Sequence, residues 1–481
     1  MANYMLLAPE LVLTLVALAI MLAGLFFGPN NKNILGYVAG IGLFAALCLT
    51  IGGLTVNETL FYGTMTIDAL SQFFKIVFIS VSLLVTIASI KYTEGNKNAD
   101  EFFTLLLFST IGMMVVASAN DLITLFVGFE LASLSTYALA GFEKNNPKSM
   151  EAALKYFIIG SLSSALMLFG ISFVYGMTGT TSIPGIAENA GALASSPIGL
   201  IAVVMLIAGF GFKMALVPFH MWAPDTYQGA PTVISALLAA GSKKMGFVAA
   251  FRVFVVALAL LSPNWQTAFA ILAVITMTLG NVVAISQTSV KRMLAYSSVA
   301  QAGYIAIAFA VMTPMALTGG VLYTLSHAFM KTGAFLVVAV VGYMVVSDNK
   351  NAKDIDHLDN FKGLAKRMPL TAFAMMVFVF ALSGIPPTAG YMSKFILFSS
   401  TIESGLVWLA VIAILNSALS LYYYARIVKY MYFLPASGGK ISEPKPYAVA
   451  IILALAGVLI IGIWPEPFVY WAMEAAKVLM V

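Results

Sequence analysis

The sequence predicts an all-α integral membrane fold, on three observations: its composition, the length of its apolar runs, and the places where its cations fall. Hydrophobic residues make up 61% of the chain and charged ones 9%, with a mean hydropathy of +0.97. A soluble domain carries about 25% charged residues, and 25 basic plus 20 acidic side chains cannot cover the surface of 481 residues facing water. The apolar runs repeatedly reach the roughly 20 residues that a helix needs to cross a bilayer.

Taken in order, the runs fall at 5–28, 34–54, 67–90, 102–118, 121–141, 151–178, 197–224, 230–261, 265–287, 291–312, 315–346, 368–402, 404–433 and 446–470, divided by loops rich in Gly, Pro, Asn and charge. These are spans 1 to 14. The first, within "MANYMLLAPELVLTLVALAIMLAGLFF", lacks a basic leader and continues past 20 residues, so it reads as a retained crossing rather than a cleaved signal peptide.

The cations test the count, because one missed span would scramble their alternation. Loops on one face carry Lys32; Lys91 and Lys97; Lys144 and Lys148; Lys291 and Arg292; Lys350, Lys353, Lys362, Lys366 and Arg367; and Lys440 and Lys445. The opposite face has Lys477 alone. The basic face is therefore cytoplasmic, and an even number of spans puts both termini on the other side. The loop at 225–229 departs from the pattern, with Asp225 and no cation.

Several functions are excluded. Cys48 is the one cysteine, which leaves no disulfide framework or cysteine-held cluster within the chain, and His220, His327 and His357 are too scattered to spell out a metal site. No cofactor, metal or nucleic-acid site is expected.

Arg426 and Lys429 end span 13, and eight cations remain within spans: Lys75, Lys155, Lys213, Lys243, Lys244, Arg252, Lys331 and Lys394. A charge at mid-bilayer costs about 2.5–3.5 kcal/mol even on permissive insertion scales, so such residues mark a wet interior path. Lys75 and Lys155 lie near span ends and are expected to snorkel. Arg252 holds its proton firmly and reads as an electrostatic or structural element. Among the acids, Asp68, Asp121 and Glu151 open helices and complement their dipoles, Glu10 sits near an end, and only Glu130 is deep.

Removing an ammonium from water weakens its hold on the proton, and a nearby carboxylate restores it, so a Glu–Lys pair of variable separation is a two-state proton switch. Glu130 suits that role, with Ser133 and Tyr137 at i+3 and i+7 completing a polar stripe; a structural ion pair is the alternative. Lys213 precedes Pro218 by five residues in "GFGFKMALVPFHMWAPDTYQGAP". A helix breaker at membrane depth is tolerated only where the freed backbone is buried in protein or lines a wet cavity.

A second break, Pro386 and Pro387, precedes Lys394 in "ALSGIPPTAGYMSKF". The broken spans are numbers 7 and 12; an odd offset means opposite directions, as inverted repeats would give. The chain then divides into 1–101, a first repeat 102–261 (spans 4–8), a second 262–433 (spans 9–13) and 434–481. In "SALLAAGSKKMGF", Lys243 and Lys244 lie roughly 100° apart around the helix, so one is expected to face the path. His327 and Lys331 in "SHAFMKTGAF" share a face; a relay histidine and a satisfied structural one fit equally.

These segments, with "FVGFELASLSTYAL" (126–139) and "KRMLAYSSVAQAGY" (291–304), resemble the antiporter-like, proton-translocating membrane subunits of respiratory complex I, most closely the N subunit. The resemblance spans nearly the whole chain. It implies fourteen helices, two inverted five-helix repeats, and discontinuous helices 7 and 12. Carried over by position, it implies Glu130, Lys213, Lys243 and Lys394 as proton-translocating residues. The "HAFMK" segment is a departure that looks like the M-type and cation antiporter relatives, and extends the implied relay to His327 and Lys331. Lys244, Arg252 and Tyr137 are accessory.

The expected function is a cofactor-free, non-catalytic pumping subunit of a redox-driven translocase. Its expected partners are other membrane-arm antiporter-like and small membrane subunits, lipids and, indirectly, peripheral iron–sulfur subunits. A sodium/proton antiporter subunit, a structural spacer and a small-molecule transporter are the other classes weighed. The chain does not disclose whether the electron donor is NADH, reduced F420 or ferredoxin.

Overall fold

The computed structural model describes residues 4–348, 354–435 and 439–480; the inner-loop residues Lys350 and Lys353 lie outside the described residues. The described chain is helical apart from loops and one short hairpin, in which β1 (Glu58–Leu60) pairs antiparallel with β2 (Met65–Ile67). Thirteen helices among the described residues are long and apolar enough to cross a membrane. This is a multi-pass membrane protein.

The N-terminal group comprises α1 (Ala8–Ala23), α2 (Asn33–Gly52) and α3 (Ala69–Tyr92). Asp68 caps α3 through the Ser71 N–H, and the Ser71 hydroxyl answers the Asp68 N–H at 2.9 Å, a reciprocal box that satisfies two otherwise orphaned donors. Next come α4 (Ala99–Ser118), α5 (Leu122–Ala140), α6 (Pro147–Thr178), α7 (Pro197–Met214), α8 (Trp222–Gly229) and α9 (Thr232–Ala257). Then follow α10 (Ser262–Ser286), α11 (Val290–Val311), α12 (Pro314–Asp348), α13 (Pro369–Ser383), α14 (Ala389–Glu403), α15 (Val407–Phe433), α16 (Lys445–Ile463) and α17 (Glu466–Lys477).

Burial is uneven, and it locates the interior. The spanning window of α9 is wholly buried and that of α11 nearly so, whereas α1, α2 and α6 expose broad apolar faces. Lipid covers such faces as readily as protein does. The centre of the molecule is therefore the pair α9 and α11, with α12 running alongside.

Several expectations are corrected. Lys75 does not snorkel: it is fully buried and pairs with Glu10 at 2.7 Å, tying α3 to α1. Lys155 does sit at the surface, between Glu151 and Asp225, each 2.7 Å away. Span 14 is cut short, because Pro465 cannot supply a helical N–H: α16 stops at Ile463 and a separate amphipathic helix, α17, follows. The helix of span 1 ends at Ala23, not 28. Finally, α9 widens into π-helical turns at Leu238–Ser242 and Phe251–Ala257; such turns recur at functional positions, and nothing in the hydropathy pattern marks them.

Candidate functional site

The break after Lys213 begins with the last turn of α7. Ala215 takes a left-handed conformation (φ 55°), and the Leu216 N–H closes back on the Gly211 carbonyl at 2.8 Å. The freed groups beyond are also met: the Trp222 indole N–H donates to the Phe212 carbonyl (2.9 Å) and the Val217 N–H donates to Thr276 Oγ1 (2.9 Å). Buried polar backbone thus stays satisfied although the helix stops. Gly246 of α9 lies against this turn, where a Cβ would stand 3.0 Å from Lys213 Cβ; the glycine lets the two helices meet at the lysine.

Lys213 is buried among aromatic rings, with Nζ 5.4 to 5.9 Å from the ring centres of Phe212, Tyr137 and Phe129. It makes no direct ion pair with Glu130. Instead Nζ donates to the Ser133 hydroxyl, while the half-buried Glu130, one turn earlier on α5, accepts from Ser164 of α6 at 2.6 Å. The serine of the predicted stripe therefore holds the lysine, and its hydroxyl donates in turn to the Phe129 carbonyl.

The other lysines converge on α11. Lys243 Nζ donates to the carbonyl (3.1 Å) and hydroxyl (3.0 Å) of Ser298. One turn away, Lys331 Nζ donates to the Leu294 carbonyl (2.9 Å) and the Ser297 hydroxyl (2.6 Å), and Ser297 is hydrogen-bonded in turn to Tyr424 of α15. Gln301 donates to the Leu382 carbonyl at 3.1 Å and accepts from the Tyr323 hydroxyl. The Leu382 carbonyl is shared with Lys394, whose Nζ donates to it at 2.9 Å, to the Ser383 carbonyl at 3.1 Å and to Ser417 at 2.7 Å.

The break in span 12 explains this last cradle. Leu382 and Ser383 end α13, where helix carbonyls lack intrahelical partners, and Lys394 from α14 reaches back across the Pro386–Pro387 gap to supply donors. Gly384 (φ 88°) makes the turn and would bring a Cβ to 2.9 Å of Lys394 Cδ. The Tyr304 ring lies beneath the ammonium at 4.9 Å.

Residues 294, 297, 298, 301 and 304 share one face of α11. They bring three hydrogen-bonded groups, around Lys243, Lys331 and Lys394, into a row along this face, and Lys213 stands apart with Ser133. Among the described residues, none of these four lysines has a carboxylate within hydrogen-bonding distance. Such isolation is rare for buried charges, which are ordinarily paired.

One of Lys243 and Lys244 was expected to face the path; both are fully buried, and Lys243 is the one that bonds to α11. Lys244 Nζ and both ring nitrogens of His327 are buried without a hydrogen-bond partner among the described residues. Arg252, by contrast, is fixed: it donates to both Asp68 oxygens (2.9 and 3.0 Å) and twice to the Ala117 carbonyl. It joins α9 to α3 and α4.

Ser297, Ser298, Gln301 and Tyr304 were missed as site residues. Their helical spacing in the quoted segment is a usable signal. Ser164, which follows Ser161 and Ser163, and Ser417, which follows Asn416, are not set apart from these neighbours by any pattern and carry none.

Residues 119–420, which contain every buried lysine of this site, match the family model described as "NADH:quinone oxidoreductase/Mrp antiporter, TM". The chain is 66% identical to F420H2 dehydrogenase subunit N of Methanosarcina mazei, with each protein covered in full. It is 40% identical to NADH-quinone oxidoreductase subunit N of Trichlorobacter lovleyi, over 99% of this chain and 98% of that one. Its fold superimposes on a chain of respiratory complex I from Thermus thermophilus with a TM-score of 0.81 and 29% identity, covering 96% and 98% of the two chains. With lysines on broken membrane helices and relatives matched from end to end, the chain belongs to the NADH:quinone oxidoreductase/Mrp antiporter membrane-subunit family, as a member of its N type.

Proposed function

We propose that this chain is the proton-pumping N subunit of the membrane arm of a complex I-like oxidoreductase, of the F420H2 dehydrogenase or NADH-quinone type. Electron transfer to a quinone-type acceptor takes place elsewhere in the complex; this subunit holds no cofactor and moves protons. The observation that carries the reading is the α11 ladder, a row along which Lys243 and Lys331 bond to α11 hydroxyls and carbonyls and Lys394 to the Leu382 carbonyl that Gln301 also meets, with no counter-carboxylate among the described residues.

The relay begins at Glu130 and Lys213, coupled through space, with Ser133 holding the Lys213 ammonium. A change in the charge of Glu130 alters how firmly Lys213 holds its proton, since interactions between charges strengthen as the dielectric falls. Protons pass from Lys213 to Lys243, across α11 to Lys331 and His327, and through Gln301 and the Leu382 carbonyl to Lys394. Tyr137 sits over Lys213, and Arg252 anchors α9 so that its lysines keep their register.

The architecture proposed with this function has fourteen spans, counting the two 15-residue halves α13 and α14 as one discontinuous crossing. Inverted repeats occupy 102–261 and 262–433, and both termini lie on the non-cytoplasmic side. The partners proposed are further antiporter-like and small membrane subunits of the arm.

The second reading, a subunit of a sodium/proton antiporter, is favoured by the Mrp half of the family description and by "HAFMK". Substrate-driven proton uptake into inverted vesicles, with and without sodium, separates the two. Pumping that persists without sodium and is lost in Lys394→Met supports the proton pump; an absolute sodium requirement overturns it.

A further inference from the structure

We propose that Asn281 is a positioning residue for Lys394, acting through the Tyr304 ring that lies beneath the ammonium. The proposal rests on the proton-pump reading above and adds to it a residue from α10, a helix without a lysine.

The three donors of the Lys394 ammonium are already met, by the Leu382 and Ser383 carbonyls and the Ser417 hydroxyl. Tyr304 therefore acts on Lys394 through its ring face, whose centre is 4.9 Å from Nζ. A ring face attracts a cation and has no such hold on a neutral amine. Its placement thus bears on one of the two protonation states that a relay lysine passes through and not on the other.

The hydroxyl at the far end of that ring accepts from Asn281 Nδ2 at 3.1 Å. Asn281 is itself held at both ends of its amide. Oδ1 accepts from the Tyr423 hydroxyl at 2.9 Å, and Nδ2 also reaches the backbone carbonyl (3.1 Å) and the side-chain oxygen (3.2 Å) of Asn416. The Asn416 amide donates in turn to Thr278 Oγ1 at 3.2 Å, one turn back on α10. Asn281, Tyr304 and Tyr423 are fully buried, where a lost bond leaves a polar group that water does not satisfy.

The backbones are spaced for this contact. A Cβ at Gly280 would stand 2.6 Å from the Ala300 backbone nitrogen, and one at Gly303 would stand 2.7 Å from that of Met277. These glycines directly precede Asn281 and Tyr304, so α10 and α11 come together beside the two residues that bond. One turn beyond Asn281, Arg426 of α15 donates to the Ile285 carbonyl at 3.0 Å and to the Gln287 carbonyl, which ties α15 to α10 a second time. Asn416 is next in sequence to Ser417, so one short segment of α15 touches both the amine and the residue that aims its ring.

The test uses the complete complex in sealed inverted vesicles, with subunit abundance as the assembly control, and reads protons moved per electron pair. A cluster that only glues helices together would, when broken, lower electron transfer and pumping in equal proportion, because fewer complexes are intact. A misplaced ring lowers the proton yield of the complexes that remain. Tyr304→Phe keeps the ring and leaves Asn281 its bonds to α15; it should assemble as the parent does and show at least half of the loss in proton yield seen in Lys394→Met. Asn281→Leu should match Tyr304→Phe, and the double variant should lose no more than either single, as for two members of one bond. A parental proton yield in assembled Tyr304→Phe overturns the proposal, as does a double variant whose losses add. Should Asn281→Leu fail to assemble, Tyr304→Phe alone decides. Lys394→Met is run beside them: a parental proton yield in that variant shows that the proton-pump reading itself has failed.

Discussion

Replacing Gln301 with leucine removes the amide that joins Tyr323 to the Leu382 carbonyl while keeping nearly the same volume. The structural cost can be worked out bond by bond. The Leu382 carbonyl keeps its hydrogen bond from Lys394 at 2.9 Å, so nothing is orphaned there. The Tyr323 hydroxyl loses the acceptor it has in Gln301, and a buried donor left unmet costs about 1–3 kcal/mol. Transport should suffer more than stability, because the ladder between Lys331 and Lys394 is cut. If the missing link adds about 1.4–3 kcal/mol to the proton-transfer barrier, pumping slows roughly 10- to 100-fold. The assay is the initial rate of substrate-driven acidification of sealed inverted vesicles, set against thermal unfolding of the solubilised complex. The double variant Gln301→Leu with Tyr323→Phe removes the stranded hydroxyl, and should regain stability without regaining pumping. Parental pumping in Gln301→Leu, or its recovery in the double variant, would refute the ladder as a proton route.

Ser133→Ala removes the hydroxyl that holds the Lys213 ammonium and should slow pumping while leaving the complex assembled; a pumping rate within twofold of the parent, measured in the same vesicles, would show that this hydroxyl is dispensable. Lys75→Met strands the Glu10 carboxylate in the interior and should destabilise the protein by about 3–5 kcal/mol, read as a lowered midpoint of thermal unfolding. Adding Glu10→Gln should restore most of that loss, and an unchanged midpoint in Lys75→Met would place the pair outside the folded core. Gly246→Ala pushes a methyl to within 3.0 Å of Lys213 Cβ and of the Met214 backbone nitrogen; overpacking of this kind costs about 1–3 kcal/mol. It should lower both thermal stability and pumping, and a variant indistinguishable from the parent in both would show that the contact has slack.

The parts of this molecule that were legible in its sequence are those governed by one-dimensional rules. Apolar runs fix where helices cross, and a proline beside a lysine marks a break, since each signal is local. What could not be read depended on which helix ended up in the middle. Helix phase sets Lys243 and Lys244 apart around the axis but carries no sign that both are buried, as they are in a helix packed on every side. Lys75 looked close enough to its span's end to reach water, yet Glu10 from a different helix meets it first. Ser297, Ser298 and Gln301 sat within a motif already singled out, but serine and glutamine in a membrane helix bond as often to their own backbone as across to a neighbour. Only the placement of Lys243, Lys331 and Leu382 around them separates the two.

The most direct test of the account is the number of protons moved per electron pair by the intact complex in sealed vesicles, compared between the parent and Lys213→Met. The account predicts that the variant assembles fully and moves fewer protons for each electron pair, because the first amine of the relay is gone. An assembled Lys213→Met complex with the parental proton yield would contradict it.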